Sequence, residues 1–254
     1  MDLGLRDRVV LITGAGGGAG PTLATAFAAE GARVALNQRS ASGGASRAET
    51  TATEIVNAGG RAMAVTADLR SLDETEAMVG RITDELGPVA VLVTATSAYR
   101  VDKFPELADA DWSAIVDDML GATFRACRAV VPGMQTAGWG RIVNIASRSG
   151  LTGVARAAHY AAAKAGIVGL TRSLAKELGP SGILANAVAP TQILTLKDGT
   201  PSIAEERVSE MAKSIPVRRI ATPDDLASLV VWLGSGANTY VSGEVVSLSG
   251  GARS

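Results

Sequence analysis

The sequence is poor in the residues that build disulfides, metal clusters and charged surfaces. Its 254 residues include one cysteine, Cys127, and one histidine, which excludes an intrachain disulfide and a structural zinc site of four thiolate or imidazole ligands. Aromatic residues make up only 4%, and 24 basic against 25 acidic side chains leave a net charge of -1. Such a chain has no long-range attraction for nucleic acid or an anionic membrane, and we expect neither as a partner.

Long hydrophobic runs are also missing. No stretch reaches the ~18 apolar residues of a membrane-spanning helix, and the amino terminus lacks the basic start and cleavage site of a signal peptide. With a single cysteine, we expect a reducing, cytoplasmic location. Small residues are what the chain has in plenty: 29 glycines, within a composition that is 47% apolar. This composition is typical of a globular protein.

Short aliphatic runs alternate with longer amphipathic stretches along the whole chain. This alternation predicts an α/β fold, a doubly wound parallel sheet of seven strands with helices on both faces. The predicted strands are Val9–Thr13, Val34–Asn37, Ala62–Thr66, Val89–Thr94, Arg141–Ala146, Leu184–Ala189 and Val245–Leu248. The predicted helices are Pro21–Glu30, Ser46–Ala58, Leu72–Leu86, Ala110–Thr136, His159–Leu178 and Pro223–Leu233. We predict a single domain over residues 1–254, in which the polar loop Thr191–Ser214 is a candidate substrate lid.

A glycine-rich turn follows the first strand and leads directly into a helix. It reads Thr13-Gly14-Ala15-Gly16-Gly17-Gly18-Ala19-Gly20, and Pro21 then opens the helix. Such a turn lets the backbone approach a pyrophosphate, whose charge the free amides and dipole of the helix start favour. A glycine cluster could also be no more than a tight turn, but its place between strand and helix favours a dinucleotide site.

The end of the second strand bears on which dinucleotide is bound. A carboxylate there would accept the ribose hydroxyl of NAD and repel the 2′-phosphate of NADP. The chain instead reads Asn37-Gln38-Arg39-Ser40, where Arg39 and Ser40 could bind that phosphate. NADP(H) is therefore favoured over NAD(H). The alternative is that Arg39 is a solvated surface charge.

Tyr160 and Lys164 are four residues apart, which places them on one face of a helix. An ammonium ~5 Å from a phenolate stabilises it by about 3 kcal/mol, which predicts that Lys164 lowers the pKa of Tyr160 towards the range of a general acid or base. Ser147 follows a predicted strand, where its hydroxyl could hold a substrate carbonyl against the tyrosine. Taken alone, the Tyr–Lys pair could be an exposed pair without a catalytic role, and the serine could cap a turn.

Together these motifs resemble those of the short-chain dehydrogenase/reductase superfamily, in particular its 3-oxoacyl-acyl-carrier-protein reductases. The resemblance covers almost the whole chain. It comprises the turn Thr13 to Gly20, Asp68-Leu69, Ser147, Tyr160, Lys164, the run Asn186 to Pro190, Thr195, Tyr240-Val241-Ser242-Gly243 and Gly250-Gly251. It implies a Rossmann-type sheet with strand order 3-2-1-4-5-6-7 and a homotetramer formed through the two long helices.

The resemblance also implies roles for single residues. Tyr160 would be the proton donor, Ser147 would position the carbonyl oxygen, and Lys164 would hold the nicotinamide ribose. The cofactor-binding residues would be Gly14, Gly16, Gly17, Gly18 and Gly20 at the pyrophosphate, Arg39 and Ser40 at the 2′-phosphate, Asp68 and Leu69 at the adenine, Thr94 and Ala95 after the fourth strand, and Pro190, Ile193 and Thr195 at the nicotinamide.

Three positions depart from the family pattern. Thr94-Ala95-Thr96-Ser97 stands where the family has Asn-Asn-Ala-Gly, and Thr191 replaces the glycine after Pro190. Met119 aligns with the asparagine that helps to hold a water in the proton path, although a thioether cannot donate a hydrogen bond. We hypothesise that this path either runs through Asp118 or is weakened.

These observations predict an NADP(H)-dependent carbonyl reductase that acts on a ketone or secondary alcohol, such as a 3-oxoacyl thioester. The substrate would be a small molecule or an acyl-carrier conjugate. Two alternatives remain open, an NAD-dependent secondary-alcohol dehydrogenase and a cofactor-binding protein with weakened catalysis. No metal site is predicted.

Overall fold

The computed structural model describes residues 1–39, 46–197 and 200–252. It contains a seven-stranded sheet, whose strands are β1 Val9–Thr13, β2 Arg33–Gln38, β3 Arg61–Thr66, β4 Val89–Thr94, β5 Gly140–Ile145, β6 Ile183–Pro190 and β9 Val245–Leu248. Their order across the sheet is β3-β2-β1-β4-β5-β6-β9. Neighbouring strands are all parallel, so the predicted fold class and strand order are confirmed, with β9 as the seventh strand.

Helices connect the strands and cover both faces of the sheet. They are α1 Gly20–Ala29, α2 Arg47–Asn57, α3 Leu72–Leu86, α4 Asp109–Val116, α5 Ala122–Ala137, α6 Ser149–Thr152, α7 Ala158–Leu178, α8 Glu205–Ser214 and α9 Pro223–Leu233. Two short strands, β7 Leu196–Lys197 and β8 Thr200–Pro201, form a separate antiparallel pair. Within the described ranges, no helix has the length and hydrophobicity to cross a membrane.

Alternate residues of the strands build two apolar cores. On one face, Val10 and Ile12 pack with Phe27 of α1 and Val230 of α9. On the other face, Leu11 and its neighbours pack with helices α3 and α5. Successive side chains of a strand point to opposite faces, so a strand covered on both sides must be apolar throughout. This requirement explains why β1 reads as a continuous hydrophobic run.

Side-chain caps set several helix starts. Ser46 and Glu49 form a capping box before α2, and Thr222 and Asp225 form another before α9. Each box satisfies backbone N–H groups that have no partner within the helix.

The long helix predicted over Ala110–Thr136 is continuous but contains a π-helical turn. Asp117–Gly121 forms a π-helical turn between α4 and α5. Arg125 Nη2 donates to Asp117 Oδ1 at 2.8 Å and Nη1 donates to Leu69 O at 3.2 Å, so the turn is tied to the segment after β3. π-Helical turns of this kind often occur at functional sites.

The predicted loop Thr191–Ser214 is wrong as a description of that segment, which we call the lid segment. It contains β7, β8 and the whole of α8. A small apolar cluster, separate from the two cores of the sheet, holds α8 in place; its members are Ile203, Ile215 and Ile220, with Leu194, Val208 and Met211 packed against them.

Candidate active site

A cleft of about 1390 Å³ is lined by residues that follow the carboxyl ends of the strands. Helix α8 of the lid segment contributes Arg207 and Met211 to its wall. Ligands bind outside the carboxyl ends of the strands in open parallel sheets. The predicted site residues that line the cleft are Gly14, Gly16, Gly17, Gly18, Gly20, Arg39, Asp68, Leu69, Ala95, Ser147, Tyr160, Lys164, Pro190, Ile193 and Thr195.

The glycines of the turn differ in how much room a side chain would have. Gly14 has φ +66°, and a Cβ there would lie 2.9 Å from the Thr96 backbone; at Gly20 a Cβ would lie 2.5 Å from Ala15 O. These positions exclude a side chain because of the protein's own backbone. At Gly17 and Gly18, by contrast, an added Cβ would have no neighbour within 4 Å. The turn is therefore closed towards the sheet and open towards the cleft.

Asn37, at the end of β2, connects this turn to the sheet. Its backbone oxygen accepts from Ala15 N at 2.8 Å, and its side-chain Oδ1 accepts from Gly14 N at 3.5 Å. Its Nδ2 donates to Ala67 O at 3.1 Å. Sequence reasoning treated Asn37 only as a residue that is not a carboxylate, and missed that its side chain bridges two loops of the cleft.

The part of the cleft after β2 and β3 combines two arginines with two carboxylates. Arg39 Nη1 lies 2.9 Å from Asp118 Oδ1, while Arg70 pairs with Asp68 and lies 3.7 Å from Asp118. The hydrogen bond from Arg70 lowers the pKa of Asp68 below its ordinary value. Arg39 is thus an exposed guanidinium held by an acidic neighbour. Ser40, the other predicted phosphate ligand, lies outside the described residues.

Thr94 departs from its predicted place. Its hydroxyl is buried and donates to Asn144 Oδ1 at 2.8 Å, and Asn144 Nδ2 donates in turn to Thr171. The Thr94 side chain therefore belongs to a polar network below the cleft, whereas the neighbouring Ala95 lines it. Ser97, which replaces the family glycine, lines the cleft without a positive φ, so it causes no backbone strain.

Ser147, Tyr160 and Lys164 meet in the cleft. Ser147 follows β5, and its side chain is close enough to Tyr160 to lower the pKa of the phenol. Ser149 N donates to Ser147 Oγ at 3.2 Å, which orients the serine. Lys164, on the same helix face as Tyr160, has its Nζ 6.0 Å from the tyrosine ring centroid. The three side chains predicted from their spacing therefore converge.

The fully buried Lys164 is anchored by backbone carbonyls. Its Nζ donates to Ile145 O at 2.8 Å and to Thr96 O at 3.2 Å. An ammonium has three N–H donors, so one remains for another acceptor. Burial lowers the pKa of Lys164 to about 8, because the charged form is desolvated.

The pKa of Tyr160 shifts in the direction opposite to the prediction. Burial raises it above its ordinary value and the nearby Tyr99 adds to the rise, while the Ser147 side chain lowers it. The expected lowering by Lys164 is therefore not found, and desolvation is the largest effect. Tyr160 is a protonated group at neutral pH, suited to donating a proton.

Tyr99 is a neighbour of Tyr160 that sequence reasoning did not single out. The two rings meet edge to face, with centroids 5.0 Å apart and planes at 83°. Tyr99 lies in the segment after β4. Its side chain is largely exposed and lines the cleft. Its contact depends on the packing of this segment against α7, for which the sequence has no local signal.

The residues after β6 complete the cleft. Ile193 pairs with Ala221 in an isolated bridge, and Thr195 N donates to Ser202 Oγ at 3.2 Å. Thr191, the other departure from the family glycines, donates from its backbone N to Leu248 O at 3.0 Å. The contacts with Ala221 and Leu248 join the start of the lid segment to the regions that follow it, whereas the bond to Ser202 lies within the segment.

Met119 is fully buried, packed with Ile115, Ala163 and Ile167, and does not line the cleft. The neighbouring Asp118 does line it, but its carboxylate faces Arg39 and Arg70. This pairing argues against the hypothesis that Asp118 takes over the proton path.

Known proteins match this chain over nearly its whole length. The family model described as short chain dehydrogenase matches residues 8–202. Nodulation protein G of Azospirillum brasilense is 34% identical over 97% of this chain and 98% of its own length. A 3-oxoacyl-[acyl-carrier-protein] reductase of Vibrio cholerae is 34% identical over 98% of both chains. An acetoacetyl-CoA reductase of Allochromatium vinosum is 33% identical over 96% of this chain and 98% of its own.

A solved structure agrees with these relatives. A crystal structure from Sinorhizobium meliloti, described as a candidate short-chain alcohol dehydrogenase, superposes with a TM-score of 0.90 at 30% identity, covering 99% of this chain and 98% of the other. The chain therefore belongs to the short-chain dehydrogenase/reductase family of NAD(P)-dependent oxidoreductases.

Proposed function

We propose that this protein is an NADP(H)-dependent ketoreductase, with Ser147, Tyr160 and Lys164 as its catalytic residues. The observation that carries the proposal is the convergence of the Ser147, Tyr160 and Lys164 side chains in the same cleft as the glycine turn. The Ser147 and Tyr160 hydroxyls can hold one carbonyl oxygen between two donors.

The residues present fit a dinucleotide. The open faces of Gly17 and Gly18 leave room for a pyrophosphate beside the start of α1. Two buried polar atoms of cleft residues, Gln38 Nε2 and Thr96 Oγ1, lack a hydrogen-bond partner within the described part of the chain. Buried polar groups are nearly always paired, so these atoms are suited to a bound polar ligand. Gly14 to Gly20, Arg39, Asp68, Leu69, Ala95, Lys164, Pro190, Ile193 and Thr195 would hold the cofactor.

The chemistry of reduction divides between the cofactor and the chain. A bound reduced nicotinamide supplies the hydride that adds to the carbonyl carbon. The chain supplies the proton: the Tyr160 O–H bond breaks, and a new O–H bond forms on the former carbonyl oxygen. Ser147 donates to the same oxygen and stabilises its developing negative charge. The resulting Tyr160 phenolate lies near the Lys164 ammonium and regains a proton from solvent.

Arg39 and Gln38 support a preference for NADP(H). Neither offers the carboxylate that would repel a 2′-phosphate, and Arg39 presents an exposed guanidinium. The alternative is an NAD-dependent secondary-alcohol dehydrogenase, which the acidic neighbour Asp118 favours because it already neutralises Arg39. Parallel titrations with NADP⁺ and NAD⁺ decide between the two.

The relatives support a 3-oxoacyl thioester as one substrate class, since two of them are named for the reduction of such compounds. A cofactor-binding protein with weakened catalysis is the alternative that Met119 favours, because a thioether cannot donate a hydrogen bond. Tight NADPH binding without oxidation by any ketone would support that alternative.

We also propose a homotetramer formed through the helices α4, α5 and α7. Trp112 and Phe124 are partly exposed on α4 and α5, as expected of aromatic residues at a subunit contact. Light scattering coupled to size-exclusion chromatography tests the assembly.

The proposed activity is tested by NADPH oxidation over a panel of carbonyl classes, with Tyr160→Phe as the blank. We expect at least one ketone class to be reduced by the wild type and not by the blank. Equal rates in both proteins would overturn the role of Tyr160.

A further inference from the structure

The charges that line the cleft are balanced in one part and unbalanced in another. The acidic residues lining it are Asp68 and Asp118, and both pair with Arg39 or Arg70. The other basic residues of the lining are Arg148, Lys164 and Arg207. The part of the cleft that contains Ser147 and Tyr160 is therefore positively charged.

Arg148 is placed by the same strand end that places Ser147. Its backbone N donates to Pro190 O at 3.0 Å, and its carbonyl accepts from Leu151 N at 2.8 Å. The backbone on both sides of the residue is thus fixed beside the reacting groups. Its side-chain Nε is buried and has no hydrogen-bond partner within the described residues. A buried charged donor without an acceptor is unfavourable, and a bound anion would satisfy it.

Arg207 approaches the cleft from another element. It lies on α8 of the lid segment, near Met211, which lines the same wall. Of the carboxylates in the ranges that the structure describes, none lies within 4.0 Å of either Arg148 or Arg207. The remaining polar side chains nearby, such as Ser149, Thr152 and Gln192, are neutral.

We propose that the substrate is a ketone bearing an anionic group, bound by Arg148 and covered by Arg207 of the lid segment. This inference rests on the proposed ketoreductase function, and within it selects an oxo acid over the 3-oxoacyl thioester, which has no charge beside the reacting carbonyl. Because Ser147 and Arg148 both line the cleft after the end of β5, we place the anion on the same side of the cleft as the carbonyl that Ser147 holds, as in a short oxo acid. A carboxylate and a phosphonate share this chemistry, since both accept paired hydrogen bonds from a guanidinium.

The direct test compares each anionic ketone with its neutral methyl ester. Acetoacetate and levulinate represent the carboxylates, and acetonylphosphonate represents the phosphonates. We expect kcat/KM for at least one anion to exceed that of its ester by about tenfold or more. If the carboxylate ketones are preferred, the anionic group is a carboxylate. If acetonylphosphonate is preferred, it is a phosphonate. Esters reduced as efficiently as every anion would overturn the inference and leave the ketoreductase function intact.

The variants assign the effect to the two arginines. In Arg148→Gln and Arg207→Gln, we expect the anion-to-ester ratio of kcat/KM to fall towards one. Arg61→Gln is the matched control, because Arg61 is exposed at the amino end of β3 and outside the cleft; its ratio stays at the wild-type value. An unchanged ratio in Arg148→Gln would overturn the proposal. A parallel loss of NADPH affinity in Arg207→Gln would assign that arginine to the cofactor and overturn its part.

A binding measurement separates this inference from the proposed function. Valerate and valeramide have equal chain lengths and no reducible ketone, and their effect on the Tm is measured with saturating NADP⁺. We expect valerate to raise the Tm more than valeramide in the wild type but not in Arg148→Gln. If valerate has this effect but no ketone is reduced, the ketoreductase function is rejected and the anion site is retained. Equal effects of both ligands in the wild type would overturn the anion site.

Discussion

His159 Nε2 lies 3.5 Å from Asp102 Oδ2, and the histidine ring is fully buried beside Tyr160 in sequence. Neither ring nitrogen has a hydrogen-bond partner within the described residues. Asp102 N also donates to Arg156 O at 2.8 Å. The contact therefore joins the start of α7 to the segment after β4, which contains Tyr99. His159 itself does not line the cleft.

This relationship predicts that His159 affects substrate binding more than stability. We expect His159→Leu to change the free energy of unfolding by less than about 1 kcal/mol, because the polar contact that is lost, from Nε2 to Asp102 Oδ2, is long at 3.5 Å. The KM for a ketone should rise several-fold as Tyr99 loses its support. His159→Gln keeps a donor towards Asp102 and should lie closer to wild type. A wild-type KM in His159→Leu would contradict this role.

Ser147→Ala should alter both the rate and its pH dependence. The Ser147 hydroxyl lowers the pKa of Tyr160, so its removal raises that pKa further. Alcohol oxidation requires the tyrosinate, and its rising pH limb should move to higher pH. We expect kcat to fall by about 10²- to 10³-fold, as for the loss of an oxyanion donor. Ser228→Ala, on the exposed face of α9, is the control, and an unmoved limb would count against this effect of Ser147 on Tyr160.

Lys164 should make stability depend on pH. Burial lowers its pKa from 10.5 to about 8, so between these values the unfolded chain binds a proton that the folded chain has released. Stability from this group therefore rises with pH across the window and is lost as pH falls through about 8. The difference amounts to about 3 kcal/mol.

Denaturant unfolding of the wild type and Lys164→Met across this pH range measures the effect. We expect the wild type to gain stability relative to the variant as the pH rises. The buried Cys127 thiol has a pKa raised to about 12 and contributes the opposite slope, but it does so in both proteins and cancels in the difference. Parallel curves would show that Lys164 titrates normally.

Arg39 and Asp118 should have opposite effects on cofactor preference. Arg39→Gln removes the guanidinium available to a 2′-phosphate and should weaken NADPH binding by about tenfold more than NADH binding. Asp118→Asn removes the neighbouring negative charge and should strengthen NADPH binding. Titration by nucleotide fluorescence measures both, with Arg81→Gln on α3 as the control. Equal losses for the two nucleotides in Arg39→Gln would mean that Arg39 does not read the phosphate.

Gly14 and Gly17 should respond differently to the same methyl group. Gly14→Ala places a Cβ against the Thr96 backbone at positive φ, so we expect a loss of stability of about 1 to 3 kcal/mol. Gly17→Ala meets no atom within 4 Å and should keep the wild-type Tm, but the methyl would occupy the open side of the turn and weaken NADPH binding. Comparable destabilisation by both changes would disprove the distinction.

The sheet was predictable because its central strands, such as β1 and β4, are covered on both faces and therefore read as apolar runs. The π-helical turn was not, because it depends on Arg125 reaching both Asp117 and Leu69, a tertiary contact that hydrophobic periodicity does not show. Helix α8 was missed for a related reason. Half of its residues are charged, and only Val208 and Met211 of the helix join the apolar cluster below it.

The candidate site was predictable in position but less so in electrostatics. The spacing of Tyr160 and Lys164 is a local property of the helix, and Ser147 follows from a strand end. Their pKa values depend on burial, which is set by the packing of the whole chain and reverses the predicted direction for Tyr160. The anion-binding potential of Arg148 likewise depends on which carboxylates the fold places elsewhere in the cleft.

The small apolar cluster beneath α8 shares no member with the two cores of the sheet. We therefore regard residues 191 to 220 as an exchangeable module, because the apolar cores of the sheet are built from other residues. Recombination or design could replace this module with that of another relative and alter which molecules are accepted, while the proton-donating tyrosine and the nucleotide turn are inherited unchanged.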